Sequence, residues 1–133
     1  MTGYFADTHY YVALASQDDE DHRRAVALSR QLPGRMITTA WVLTELADAF
    51  SASAQRGVFL DLLRRLRANP ILTIVPPTQE LFDRGIELYG RRRDKDWSLT
   101  DCISFVVMRD EGITEALTGD HHFEQAGFHA LLK

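Results

Sequence analysis

The stretch Gly3-Tyr4-Phe5-Ala6-Asp7 is a short apolar run that ends on a carboxylate, and it reads as a first strand with an acid at its C-terminal tip. Residues 19–32 follow with apolar side chains at Ala25, Val26, Leu28 and Leu32 and stop at Pro33-Gly34, the pattern of an amphipathic helix with a terminator. Residues 36–38 form a candidate second strand, residues 40–50 a helix containing Glu45, and residues 59–67 a further amphipathic helix. Residues 71–75 are apolar, β-branched and uncharged up to Pro76-Pro77, which predicts a fully buried strand. Helices are expected over residues 81–89 and from Ser98 through Met108. Residues 116–118 lead into Gly119-Asp120, and a last short strand is expected near residues 128–131.

Strand and helix patterns thus alternate from end to end. That alternation predicts βαβ units, and so a three-layer α/β/α sandwich with a central, mainly parallel sheet, in one domain over residues 1–133. Ligands of such sheets bind beyond the strand C-termini, which places Asp7 and Asp120 at the expected ligand edge.

The chain has 133 residues, 45% of them hydrophobic and 26% charged, which is globular rather than disordered composition. Its 15 Lys+Arg against 19 Asp+Glu give a net charge of -4, unlike a generic basic nucleic-acid-binding module. The single cysteine, Cys102, has no intramolecular disulfide partner and reads as a small buried hydrophobe. The N-terminal residues lack a basic and apolar leader pattern, and no apolar stretch approaches the ~20 residues of a membrane span. A soluble, cytoplasmic protein is the expectation.

Four acids lie among apolar or small neighbours: Asp7, Glu45 in WVLTEL, Asp101 in SLTDCISF and Asp120 in ALTGDHHF. Each also has an ordinary structural explanation. Asp7 and Asp120 suit turns, Glu45 an exposed helix face, and Ser98-Leu99-Thr100-Asp101 fits a capping box. As a set they are more informative, because two strand-tip acids and two helix acids would converge on one sheet edge. An oxygen-only cluster suits Mg²⁺ or Mn²⁺, which activate water and stabilise phosphoryl displacement.

The segments FADTHYYVAL at 5–14, TTAWVLTELADAF at 38–50, DWSLTDCISFVVM at 96–108 and ALTGDHHFEQAGF at 116–128 together resemble the PIN-domain ribonucleases. Within that family the resemblance is to the free-standing VapC-type toxins of bacterial toxin–antitoxin pairs. It implies a Mg²⁺- or Mn²⁺-dependent endoribonuclease in which Asp7, Glu45, Asp101 and Asp120 hold the metal and an activated water attacks the RNA phosphodiester. Thr8 and Ser98 would be hydroxyls that orient carboxylates or waters. A cognate antitoxin and a homodimer are implied as partners, with Trp41, Phe50 and Phe59 as interface aromatics or core residues.

Other chemistries fit these residues less well. Asp96 in RDKDW reads as a solvated loop charge, and Asp120-His121-His122 matches the opening of a different metal-dependent phosphoesterase motif whose other parts are missing. No G-x-S-x-G elbow or glycine-rich phosphate loop occurs. A receiver-like phosphoacceptor domain shares the length and fold class, but Asp7 has no acidic neighbour. A degenerate PIN interaction module is the remaining alternative. The basic clusters Arg64-Arg65-Arg67 and Arg91-Arg92-Arg93 are either solvated helix faces or RNA-backbone contacts. Setting the four acids aside from 19 leaves 15, equal to the 15 bases, so the whole acidic excess can sit in one cleft.

Overall fold

The computed structural model describes residues 3–133. Strand β1 (Gly3–Ala6) is buried along its whole length, because parallel strands lie on both sides of it. Helices α1 (Thr8–Ala15) and α2 (His22–Gln31) return the chain to β2 (Arg35–Thr39), and α3 (Ala40–Ala49) follows at once. The Thr39 hydroxyl accepts the Val42 N–H and so starts α3. A short 3₁₀ turn (Ser53–Gln55) and α4 (Arg56–Ala68) lead to β3 (Leu72–Val75). The chain continues through α5 (Gln79–Arg91), α6 (Leu99–Glu111), β4 (Glu115–Leu117), α7 (His121–Gln125) and β5 (His129–Ala130).

The five strands form one all-parallel sheet in the order β3-β2-β1-β4-β5, flanked by helices as an α/β/α sandwich. The chain builds outward from β1 to β3, then crosses back to the other side of β1 for β4 and β5. That reversal opens a crevice beyond the C-terminal ends of β1 and β4, where Ala6 pairs with Leu117.

One strand differs from expectation. Residues 71–75 are predicted to be fully buried, yet β3 is the edge strand, with Thr73 exposed, Leu72, Ile74 and Val75 half-buried, and Ile71 49% exposed. An uncharged β-branched run reports a strand, whereas its place in the sheet depends on which side of β1 the chain chooses next.

Three phenylalanines tie together the elements that carry the acids. Phe5 on β1, Phe105 on α6 and Phe123 on α7 are all fully buried. Phe123 stands edge-on to Phe105 at 4.9 Å and lies 6.3 Å from Phe5. Such aromatic contacts give the scaffold a defined geometry beyond simple area burial. Helix α5 comes close to α6 at Gly85, where any Cβ would strike the Ile103 side chain. No helix among the described residues is long and apolar enough to cross a membrane.

Candidate active site

Asp7 follows the last residue of β1 and is only 5% exposed. The Thr118 hydroxyl, just past β4, donates to Asp7 Oδ2 at 2.8 Å, and its oxygen accepts the Asp120 N–H at 3.1 Å. One buried threonine therefore joins the two acids of the central strands. Asp120 caps α7 by accepting the His122 N–H at 2.9 Å.

Asp101 sits in the first turn of α6. The predicted capping box is present: Ser98 Oγ accepts the Asp101 N–H at 3.0 Å, and Asp101 Oδ2 accepts the Ser98 N–H at 3.3 Å. Asp101 Oδ2 also lies 3.2 Å from His122 Nδ1, which is 3.4 Å from Asp120 Oδ1. Capping and convergence therefore coexist in this one carboxylate. Glu45, half-buried on α3, accepts a hydrogen bond from the Thr8 hydroxyl on α1.

The electrostatics join all four acids. Burial pushes the Asp7 carboxyl up to about 7; the Thr118 hydroxyl and Thr8 N–H oppose this, while the charges of Asp101 and Glu45 add to it. Burial and then the Asp120 charge raise Asp101, against the opposing pull of His122 and the Ser98 N–H. Among the described residues no Lys or Arg lies within 4.0 Å of any of the four; the only basic neighbours are His121 and His122. Buried carboxylates without a compensating cation are costly, and an all-oxygen donor set answers that cost by holding a hard divalent ion. Asp120, His121 and His122 offer ligand atoms within 4.8 Å of one another, and Asp101 meets His122 beside them, so the residues present fit such a group. Burial, and then the Asp101 charge, also pushes the Cys102 thiol up to about 11, which leaves it an inert core residue.

Other candidates fall away from this centre. Asp96 is exposed in the loop before α6. Trp41 and Phe59 are half-buried and Phe50 is a core residue. Arg64 and Arg65 are both taken up by Asp61, at 2.6 and 3.2 Å. His9, Asp19 and Asp21 present ligand atoms within 4.8 Å of one another, but both His9 nitrogens are already engaged. Its Nδ1 accepts the Gly119 N–H, so its Nε2 keeps a proton for Asp21 and offers a metal no lone pair.

The contributions of Thr118, His122 and His9 are invisible in the chain order. Thr118 looks like any strand-end residue, and the His122–Asp101 contact spans 21 positions. The ALTGD segment holds the one hint, a small hydroxyl residue two places before the acid.

The PIN domain family matches residues 4–129. The chain belongs to the PIN-domain family. Its PIN domain is 27% identical over 124 residues to the 23S rRNA-specific endonuclease VapC20 of Mycobacterium tuberculosis, covering 93% of this chain and 94% of that protein. The crystal structure of that VapC20, described as a sarcin–ricin loop cleaving toxin, superposes with a TM-score of 0.86 at 26% identity, covering 95% of this chain and 96% of the other. FitAcB of Neisseria gonorrhoeae shares the fold, with a TM-score of 0.69 at 17% identity over 96% of this chain and 95% of the other. VapBC-1 of nontypeable Haemophilus influenzae does so with a TM-score of 0.68 at 13% identity, over 99% and 100%. Membership of the PIN family sets aside the receiver-like alternative.

Proposed function

We propose that the chain is a divalent-metal-dependent endoribonuclease, the toxin of a toxin–antitoxin pair, with Asp7, Glu45, Asp101 and Asp120 as its metal-holding acids and Mg²⁺ or Mn²⁺ as the ion. The observation that carries this reading is the linked array in which Thr8 holds Glu45, Thr118 joins Asp7 to Asp120, and His122 lies between Asp101 and Asp120, with no Lys or Arg partner for the four acids among the described residues of a PIN domain. A divalent ion held there supplies charge to activate water and to stabilise the transferring phosphoryl group. The chain's own hydroxyls do the positioning. Thr8 orients Glu45, and Thr118 holds Asp7 and the Asp120 backbone in register, while the Ser98 hydroxyl accepts the Asp101 N–H and the Ser98 N–H holds the Asp101 carboxylate. His122 keeps a proton on Nδ1 between Asp101 and Asp120 and so restrains both carboxylates.

The likeness to VapC20 makes a structured loop of 23S rRNA the first substrate to test, and a small antitoxin the first protein partner. Exposed Val58 and Leu60 on α4 offer apolar area for an antitoxin or for a second copy in a homodimer. A cytoplasmic location belongs to the same proposal, since that is where the RNA is.

The deciding experiment incubates total RNA with the purified protein in Mg²⁺, Mn²⁺ or EDTA, alongside Asp7→Asn and Asp101→Asn. The expected result is discrete cleavage with metal, none in EDTA, and a loss of about 100-fold or more in each variant. Equal cleavage by wild type and both variants overturns the assignment of the acids, and no cleavage by wild type in either metal marks a degenerate interaction module.

A further inference from the structure

The C-terminal end of α5 and the start of α6 border an open groove of about 910 Å³. One wall is rigid. Trp97 is buried edge-on against Phe105 at 5.0 Å, its ring N–H donates to Gln125 at 2.9 Å, and the Arg92 guanidinium lies over its face at 5.1 Å. Arg92 is also gripped by both oxygens of Asp94, at 3.0 and 3.1 Å. Arg91 is near Glu87 at 3.9 Å. Two further cations of the groove, Arg93 and Lys95, have no carboxylate within 4.0 Å among the described residues. Tyr89 stands on the rim with 54% of its surface exposed.

The groove adjoins the acid cluster at one residue. Ser98 lines it and also accepts the Asp101 N–H. A polyanion approaching four carboxylates is repelled unless cations free of internal partners lie beside them. Arg64 and Arg65 are less suited, because both guanidiniums already share the Asp61 carboxylate. Exposed aromatic faces beside cations are the recurring means of holding single strands without reading their sequence.

We infer that this groove takes the single-stranded RNA leading to the acid cluster, with Arg93 and Lys95 on phosphates and Tyr89 stacked on a base. The inference rests on the proposed nuclease function and adds where the substrate lies. Asp96 is the one carboxylate lining the groove and repels a phosphate there, so replacing it should tighten RNA binding.

The test uses the whole protein, the double variant Arg93→Gln/Lys95→Gln, and Tyr89→Ala. Anisotropy of a short fluorescein-labelled single-stranded RNA, read in EDTA across a salt series, reports binding without cleavage. Steady-state cleavage in Mn²⁺ separates KM from kcat. The double variant should raise KM about tenfold or more with kcat within about twofold, and reduce the salt slope by about 1.4, near 0.7 per lost phosphate contact. Tyr89→Ala should weaken binding by about five- to thirtyfold with the slope unchanged.

An unchanged KM and salt slope in the double variant overturns the inference while wild-type cleavage leaves the nuclease reading standing. If wild type cleaves nothing in either metal, the nuclease reading fails by itself, and the anisotropy series still decides the groove. Ile86 and Phe82 on the same helix are 43% and 38% exposed, so sedimentation is run in parallel. Variants that alter the oligomeric state and leave RNA binding intact would make this face a contact between copies, which also overturns the inference.

Discussion

His9 Nδ1 accepts the Gly119 N–H at 2.9 Å, and a Cβ on Gly119 would stand 2.5 Å from the Cε1 of the same ring. The histidine fills the space that the glycine leaves. Its other nitrogen reaches Asp21 at 2.9 Å, so the ring braces the turn carrying Asp120 against the start of α1 and the segment before α2. Gly119→Ala should expel the ring, at a cost of about 1–3 kcal/mol in stability and about tenfold or more in cleavage. His9→Asn retains an acceptor near the Nδ1 position and should keep more activity than His9→Leu. Indistinguishable rates for the Asn and Leu variants would show that the Gly119 bond positions nothing.

The acid cluster makes the metal-free protein sensitive to pH. Asp7 titrates at about 7 when folded against 3.8 when unfolded, so between roughly these two values the folded chain binds more protons than the unfolded one. Its contribution to stability is therefore greatest at low pH and is lost as pH rises through about 7, and Asp101 acts in the same direction. Thermal unfolding in EDTA should give a lower Tm near pH 8 than near pH 5.5, by an amount worth a few kcal/mol. Asp7→Asn should flatten that difference, and Mn²⁺ should restore the wild type at the higher pH. A wild type and Asp7→Asn with identical pH dependence would remove this account.

Asp101 has two duties that substitution can separate. Ser98→Ala removes the hydroxyl that accepts the Asp101 N–H and should cost about 1 kcal/mol of stability, with a modest effect on rate. Asp101→Asn keeps a carbonyl oxygen for the Ser98 N–H but removes the charge, so it should stay folded and lose most of its cleavage. Paired melting curves and rates check this. A strongly destabilised Asp101→Asn with normal activity would reverse the assignment.

Thr118→Val is nearly isosteric but deletes a hydroxyl with two buried partners. It should cost about 1–3 kcal/mol, because Asp7 and the Asp120 N–H each lose a bond. The Thr118 bond lowers the Asp7 pKa, so its loss should also move the pH dependence of metal-free thermal stability upward. Metal-free melting curves whose pH midpoint is unchanged would confine Thr118 to a packing role.

The amount of this legible in the sequence follows from range. The strand Gly3–Ala6 and the acid after it lie within five residues, and the capping box at Ser98 and Asp101 within four, so both read directly from local pattern. The edge position of β3 did not, because it is set by a crossover completed after α6. The acids were recognisable because carboxylates in apolar surroundings are conspicuous. Their supports were not, since Thr118, His9 and His122 are ordinary residues whose partners lie 111, 110 and 21 positions away.

The 111-residue span from Asp7 to Thr118 also has a consequence during synthesis. The first acid leaves the ribosome more than a hundred residues before its partners on the far side of β1. A nascent chain can assemble β1, β2 and β3 early, yet it holds no complete carboxylate cluster until residue 120 has emerged. The strand order thus acts as a timer, delaying assembly of the cluster until the strands on both sides of β1 have been made.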